Sequence, residues 1–480
     1  MIRANHFVLT RTAAALALTL TLAACATSAF ETPDASFKGR VNVVETPLIV
    51  AGTDVKLAGR DFKPGQQVTV TVGNTALTST PATVGTDGTF RTQFKVPASA
   101  EVGSHSLVVN ATKPAAALVV PLKVSPNLPL SGQTAFDLKS AKLPSGLYQA
   151  AYSAKVDRVF VTAASGRPPI TQTQLLKVNP QTLAVEATAT PTAAPAQAPR
   201  APAPGAAPAA PRDPGLFAVY GVGVDDANGT VWVTNTRQNT VAVYNQADLK
   251  LVKQFEPGAA PHARDVIIDT KAGKAYVSTV SKDIAVFDTK TLTQLKSITI
   301  ATSVVGGPGQ GGEDRGFNTM SLALDSANSK LYTVSMATNE AAVIDTRSDK
   351  VEKVFVLEGA KSASGVDVDP RTQRLLVASQ GSDNLLIVDL ATGKVLHDVK
   401  VGAGALNVAF DPVKSLVYVN NRAADTMTVV DLNGKIVANL PAGSFPNHAV
   451  IDGKGGVFSV NKARGADDAK GDHIAYIKPR

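Results

Sequence analysis

Polar, charged and aromatic residues recur at two adjacent positions of a seven-fold repeat, and they are the best candidates for chemistry in this chain of 480 residues. Gathered at one opening, such groups could hold a ligand through a few convergent hydrogen bonds. The same residues could instead cap strand ends and hydrogen-bond neighbouring sheets, and the sequence alone weighs these two interpretations evenly. The candidate ligand-binding residues are Tyr148, Gln149, Tyr220, Arg264, Asp265, Ser321, Asn407, Asn447 and His448.

Hydrolytic chemistry has less support from these residues. Asp265, His448 and Ser321 have the residue types of a nucleophilic triad, but no G-x-S-x-G motif surrounds a serine. The six histidines form neither H-x-x-H nor H-E-x-x-H, and no acidic loop has the spacing of calcium ligands. The sequence therefore predicts no catalytic residue, no metal and no other cofactor, and we expect no enzymatic activity.

Seven copies of an apolar triplet define the elements that must position these residues. The triplets are centred on Phe160, Trp232, Tyr276, Tyr332, Leu376, Tyr418 and Phe458. Four of the six intervals between centres are 40 to 44 residues, a period typical of propeller blades of four short strands. An aspartate lies seven residues before the centre in repeats two to six, as expected for a turn between strands. The pattern predicts an all-β fold, with a seven-bladed β-propeller over residues 145–480.

The last repeat contains only three predicted strands, at His448–Asp452, Val457–Val460 and His473–Lys478. A closed ring of sheets leaves no long exposed edges only when its last sheet is complete. We therefore expect Gln133–Ser140, in the linker at 126–144, to supply the fourth strand and to fasten the ring between its first and last blades.

The repeats resemble those of the YVTN-repeat, YncE-like family of seven-bladed propellers. Val417-Tyr418-Val419-Asn420-Asn421 is nearly the signature of that family, and Ser321–Ser326, Asn407–Pro412 and Phe445–His448 carry the likeness further. The resemblance implies a propeller that binds a ligand or a partner rather than one with an established reaction.

Two alternative functions follow from resemblance. DNA binding attributed to a periplasmic member of the family implies a propeller that binds single-stranded DNA, with bases stacked on Tyr148, Tyr220 or Phe317. Propellers that hydrolyse lactones at the ring mouth imply a hydrolase as the second alternative.

The N-terminus predicts export and lipidation. Residues 1–24 combine arginines at positions 3 and 11 with an apolar stretch too short to span a bilayer, which is typical of a signal peptide. Leu22-Ala23-Ala24-Cys25 resembles the bacterial lipoprotein box, with Cys25, the single cysteine, as the lipidated residue. Ala26 in place of aspartate favours an outer-membrane anchor under the lipoprotein sorting rule. We expect a cell-envelope protein of a Gram-negative bacterium that faces the periplasm, tethered by residues 25–36.

Residues 37–125 are predicted to form a separate β domain. Short alternating runs, separated by Gly, Pro and Asn at a spacing near ten residues, indicate a small β-sandwich. Within it, Ala58–Gly65 and Asp87–Phe90 resemble bacterial immunoglobulin-like modules. Two insertions are predicted in the propeller, an Ala/Pro-rich segment at 190–214 and a Gly-rich loop at 303–316.

The charge balance disfavours nucleic acid as the main partner. The chain has 47 basic and 39 acidic residues, but residues 144–480 contribute 34 and 31 of them, a balance of only +3. Nucleic-acid binding depends on clustered Lys and Arg. The sequence therefore predicts a non-enzymatic binding or scaffold lipoprotein of the cell envelope, anchored in the outer membrane by its lipid. Its channel mouth would recognise a ligand or an envelope protein partner.

Overall fold

A computed structural model describes residue 34 and residues 36–196, 213–304 and 316–480. The predicted signal peptide, Cys25 and nearly all of the tether lie outside the described residues, as do residues 197–212 of the Ala/Pro-rich segment and 305–315 of the Gly-rich loop. Within the described ranges, no helix combines the length and the apolar character needed to cross a membrane.

The chain divides into two compact units. In its described part, the first comprises residue 34 and residues 36–44, 56–94 and 106–121, and the second comprises residues 45–55, 95–105 and 122–480 without the two internal gaps.

The N-terminal strands form two antiparallel sheets, one with the order β1-β2-β6 and one with the order β4-β3-β7-β8, in which β5 also pairs with β3. Alternate residues of β2 and β7 are buried, the pattern of strands with one face in a core. The likeness to immunoglobulin modules stays a prediction. The strands are β1 (Arg40–Val44), β2 (Asp54–Arg60), β3 (Gln67–Val72), β4 (Thr75–Ala76), β5 (Ala82–Thr83), β6 (Phe90–Lys95), β7 (Gly103–Thr112) and β8 (Ala116–Val124).

Seven further antiparallel sheets follow along the chain. After β9 (Phe136–Lys142), the first three contain β10 (Leu147–Ser153), β11 (Arg158–Ser165), β12 (Gln172–Val178) and β13 (Val185–Ala189); β14 (Val222–Asp225), β15 (Thr230–Asn235), β16 (Thr240–Asn245) and β17 (Leu251–Gln254); and β18 (Val266–Asp269), β19 (Lys274–Ser278), β20 (Asp283–Asp288), β21 (Thr293–Gln294) and β22 (Ile298–Thr299). Short 3-10 segments lie at Gln133–Ala135 and Thr236–Gln238.

The remaining four sheets repeat the same plan. They contain β23 (Thr319–Asp325), β24 (Lys330–Ser335), β25 (Glu340–Asp345) and β26 (Lys350–Val356); β27 (Ala363–Asp369), β28 (Arg374–Ser379), β29 (Asn384–Asp389) and β30 (Val395–Lys400); β31 (Ala405–Asp411), β32 (Leu416–Asn421), β33 (Thr426–Asp431) and β34 (Ile436–Pro441); and β35 (Pro446–Ile451), β36 (Val457–Asn461) and β37 (His473–Pro479).

The first strands of the seven sheets close into a ring. The strands β10, β14, β18, β23, β27, β31 and β35 contact one another in this order, and β35 contacts β10. The second strands lie almost wholly in the core, with the triplet centres Trp232, Tyr276 and Tyr418 fully buried. The predicted all-β fold with a seven-bladed propeller is therefore confirmed.

Within most blades, an aspartate at the end of the first strand stabilises the turn that leads to the second strand. One carboxylate oxygen of Asp225 accepts the backbone N–H groups of Ala227 and Asn228, each at 3.1 Å. A carboxylate oxygen of Asp269 likewise accepts the backbone N–H groups of Lys271 and Ala272, each at 3.1 Å. A side chain that accepts the N–H groups two and three residues further on fixes a tight turn. The repeated aspartate therefore fixes the turn between the first and second strands of a blade.

The last sheet is completed by a strand from before the first blade. Strand β9 pairs antiparallel with β37, with Ser140 opposite Ala475 and Leu138 opposite Ile477. The sequence placed this strand at Gln133–Ser140, whereas the observed strand begins three residues later because Gln133–Ala135 forms a 3-10 turn.

Phe136 anchors this closing strand in the core. Its ring is 5% exposed and packs in an apolar cluster with Tyr418, Val429 and Ile477 of the last two blades. We expect Phe136→Ala to lower the free energy of unfolding by about 3–5 kcal/mol, because it removes a buried aromatic ring and leaves a cavity. Urea unfolding followed by the fluorescence of Trp232, the single tryptophan, reports on the propeller alone.

Leu138→Ala is the matched control, since Leu138 lies on the same strand and is 46% exposed. Its substitution should change stability by less than about 1 kcal/mol. Equal effects of the two substitutions would contradict the packing role of the closing strand.

Candidate functional site

A cavity of about 360 Å³ opens where the first strands of the blades begin. Its wall takes residues from all seven sheets or from the loops that join them. Of the nine predicted mouth residues, eight line it, and the exception is Asp265. The closed ring thus brings together residues that are up to 300 positions apart, from Tyr148 to His448. That these residues bind a ligand stays a prediction.

Four of the nine predicted residues join neighbouring blades through what we call inter-blade latches. In each latch, a side chain at the start of one blade's first strand accepts a backbone N–H from the first strand of the next blade. The latches are Gln149 to Val222 (3.0 Å), Asp265 to Leu322 (2.9 Å), Asn407 to Ala449 (2.8 Å) and His448 to Ala150 (3.4 Å). The structural interpretation of these positions therefore holds for these four residues.

Asp367 forms a fifth latch that sequence reasoning missed. Its carboxylate accepts the N–H of Phe410 at 2.7 Å. The expected position in this blade is Gly365, where a Cβ would lie 2.8 Å from the Cα of Asn407. No side chain fits there, and the latch comes from two residues further along. Burial raises the pKa of Asp367 to about 6, against the opposing effect of hydrogen bonds from Phe410 and Val368.

The aromatic residues of the mouth form one cluster. The rings of Tyr148 and Tyr220 meet edge to face with centroids 4.5 Å apart. The ammonium group of Lys462 lies 4.0 Å from the centroid of the Tyr148 ring, within range of a cation–π interaction. Phe317, named above as a stacking residue, is 2% exposed and belongs to the core. It cannot stack on a base, so that prediction is wrong.

Cations at the mouth are the main feature that the sequence prediction missed. Arg237 and Arg422 line the cavity together with the predicted Arg264, and no Asp or Glu is present among the lining residues that the structure describes. Arg422 and Lys462 each lie four residues after a triplet centre, at Tyr418 and Phe458. The same seven-fold repeat therefore contained the signal at a second position, immediately after the second strand of the blade.

Desolvation shifts the protonation equilibria of this cluster. Burial lowers the pKa of Arg264 and of Arg422, and it lowers that of Lys462 to about 8 with a further contribution from Arg422. Burial also lowers the pKa of His448 to about 4; Asp265 opposes that shift and Arg264 adds to it. His448 is therefore neutral at pH 7, and its Nδ1 serves as the acceptor of the latch to Ala150.

The arrangement is not that of a formed hydrolytic triad. Both oxygens of Asp265 accept backbone N–H groups, from Val266 at 3.0 Å and Leu322 at 2.9 Å. Within the part of the chain that the structure describes, no hydrogen bond joins Asp265, His448 and Ser321 to one another. The same described ranges contain no group of three or more His, Cys, Asp or Glu side chains placed to hold a metal ion.

Fold and cavity together define a seven-bladed β-propeller with a ligand-sized opening at one end of its channel. No family model matches the chain. It is 24% identical over 254 residues to the uncharacterized protein YncE of Salmonella typhimurium, a match covering 50% of this chain and 68% of that protein.

Solved structures that share the fold include two enzymes by name. Hydrazine synthase of Kuenenia stuttgartiensis aligns with a TM-score of 0.52 and 15% identity, over 67% of this chain and 94% of that one. Selenomethionine-substituted virginiamycin B lyase of Staphylococcus aureus aligns with a TM-score of 0.51 and 13% identity, over 72% of this chain and 100% of that one. At these identities the likeness concerns the fold alone.

The latches are testable by removing one acceptor. Asn407→Ala should lower the free energy of unfolding by about 1–3 kcal/mol, because the buried N–H of Ala449 loses its partner. Ser321→Ala at the matching position of the fourth blade should cost less than about 1 kcal/mol. Urea unfolding of both variants, followed at Trp232, makes the comparison. Equal stability of the two variants would show that the Asn407 latch contributes nothing.

Proposed function

We propose that this chain is a non-enzymatic binding protein of the cell envelope, whose propeller mouth recognises a ligand or a protein partner. The observation that carries the proposal is the cavity of about 360 Å³ lined by all seven blades. Concave sites of this size with a few convergent polar groups are typical of ligand recognition. Its lining combines aromatic faces, amides and guanidinium groups, which suit binding.

A purely binding role has further support from the way the polar residues are used. The carboxylate of Asp265 and the imidazole of His448 are occupied by backbone N–H groups of the next blade. A general base needs a free acceptor within reach of the proton it removes. Because the Asp265 carboxylate and the His448 imidazole already accept these hydrogen bonds, they are poorly suited to act as a general base.

Single-stranded DNA is the second candidate ligand, favoured by the arginines at the mouth and by the family resemblance of the repeats. Two observations weigh against it. Phe317 is in the core, and Tyr220 is only 8% exposed, so neither offers a face to a base. Stacking on successive aromatic side chains is the usual basis of strand binding without sequence preference. We therefore favour a compact ligand or a partner segment.

The proposed location of the protein is the outer membrane, with the propeller in the periplasm. The proposal rests on the sequence Leu22-Ala23-Ala24-Cys25 after a basic and apolar leader. Several acyl chains on Cys25 would anchor the protein durably, whereas one chain alone binds a membrane only marginally.

Cross-linking tests recognition at the mouth. A photoreactive phenylalanine analogue replaces Tyr148, which is half-buried at the cavity, or Val413, which is 57% exposed on the turn at the opposite end of a first strand. After illumination of cells, mass spectrometry should find a defined adduct with the analogue at position 148 and none at position 413. Equal adducts at both positions, or none at 148, would refute recognition at the mouth.

Cell fractionation tests the proposed lipidation and membrane location. Cys25→Ser should abolish incorporation of a clickable fatty acid and move the chain from the membrane to the soluble periplasmic fraction. Ala26→Asp should keep the lipid and shift the chain to the inner membrane. Fatty-acid labelling of the Cys25→Ser variant equal to that of the unaltered chain would rule out Cys25 as the lipidated residue.

A further inference from the structure

Several cations elsewhere on the propeller form ion pairs with carboxylates, whereas four cations at the mouth form none within the described residues. Away from the mouth, Arg374 pairs with Asp389 at 2.6 Å and Lys274 with Asp349 at 2.7 Å. Arg237, Arg264, Arg422 and Lys462 form no ion pair with any residue that the structure describes. These four cationic side chains converge from the second, third, sixth and seventh blades.

Arg264 shows the cost of this arrangement most clearly. Its side chain is half-buried, and its Nε atom is enclosed without a hydrogen-bond partner in the described part of the chain. A guanidinium carries five N–H donors and no acceptor. Enclosing it without an anion is unfavourable, because a buried charge normally requires a partner. A ligand carrying the opposite charge would remove that penalty.

Arg422 is held in place by contacts that leave its charge available. It donates to the side-chain oxygen of Asn447 at 2.5 Å and lies over the ring of Phe445 at 4.5 Å. The nearby carboxylate of Asp425 is taken by Arg464, through two hydrogen bonds of 2.6 and 2.8 Å. Neutral contacts thus fix the orientation of the Arg422 guanidinium without satisfying its charge, which is the preorganisation that an anion site needs.

The tyrosine pair supplies an apolar face beside these cations. The Lys462 ammonium group lies over one face of the Tyr148 ring. Asn447 donates to the backbone carbonyl of Tyr148 at 2.6 Å and accepts from Arg422, so one amide links the Tyr148 backbone to Arg422. Arg237 lines the same cavity, and its proximity opposes the rise in the pKa of Tyr220 that burial causes. Charge and aromatic surface therefore lie side by side within one cavity.

We propose that the mouth binds a small organic anion, with a carboxylate or phosphate group between Arg264 and Arg422 and a planar body against Tyr148. The inference rests on the proposed binding function and names its ligand class. Arginine is the side chain best suited to these oxyanions, because its planar fork makes paired hydrogen bonds to two oxygens. The cavity, at about 360 Å³, has room for a compact molecule of this kind.

The test uses the full-length lipidated chain in detergent and isothermal titration calorimetry. Phenyl phosphate and benzoate are the anionic probes, and benzyl alcohol is the uncharged probe of similar shape. Both anions should bind, and the alcohol should not. Arg264→Gln and Arg422→Gln should each weaken phenyl phosphate binding about tenfold or more, since each removes charge-assisted hydrogen bonds.

Arg347→Gln is the matched control. It removes the same charge from the propeller, but Arg347 is 75% exposed and paired with Asp345, away from the cavity lining. This variant should bind phenyl phosphate within about twofold of the unaltered chain, because an exposed and distant charge is screened by salt. A loss equal to that of the two mouth variants would mean that net charge, and not a built site, attracts the anion.

Other outcomes would also overturn the inference. Benzyl alcohol binding as tightly as phenyl phosphate would assign the cavity to neutral ligands. Absence of anion binding at about 10 mM probe, an affinity too weak for a built site, would exclude this ligand class. Tight binding of an oligothymidylate that phenyl phosphate does not compete would assign the cations to a nucleic-acid strand. In each case, the photo-cross-linking experiment at position 148 still decides separately whether the mouth binds any ligand or partner.

Discussion

Pairing between β9 and β37 is the interaction on which the rest of the structure depends. It joins a strand from before the first blade to the last strand of the chain, with seven paired residues from His473 opposite Lys142 to Pro479 opposite Phe136. Without it, the last sheet would have only three strands, and the apolar cluster around Phe136 would lose that residue. The mouth depends on this closure because its lining includes residues of both the first and the last blade, such as Tyr148 and Asn447.

A second constraint is the need to satisfy buried backbone N–H groups at the inner edge of the ring, where polar side chains hold neighbouring blades together. Gln149, Asp265, Asp367, Asn407 and His448 each accept a backbone N–H from the neighbouring blade, so buried donors are satisfied where first strands converge. Groups committed in this way offer less to a ligand. The free charge of the mouth comes instead largely from the loops that follow the second strands, as with Arg237 and Arg422. In the proposed binding mode, structural hydrogen bonding and ligand contact are divided between two layers of the same opening.

Much of this architecture was predictable from local signals. The apolar triplets and their turn aspartates predict four strands per blade, and the incomplete last repeat predicts a closing strand, found within three residues of its expected start. The roles of the mouth residues were not predictable, because the partner of each latch lies on another blade and is chosen by ring geometry. Asp367 was missed since close approach of Asn407 leaves room only for glycine at the expected position. The cations were missed since an overall charge balance averages over residues that folding gathers together.

Hydrogen exchange of the native full-length chain is the most direct test of ring closure. The β9 amides that donate to β37 should exchange as slowly as the paired amides of β33, which lies inside its sheet, because both sets would open only when the propeller unfolds. Rapid exchange throughout β9, with β33 still protected, would show that the pairing between β9 and β37 is open in solution. The shared mouth would then have no structural basis.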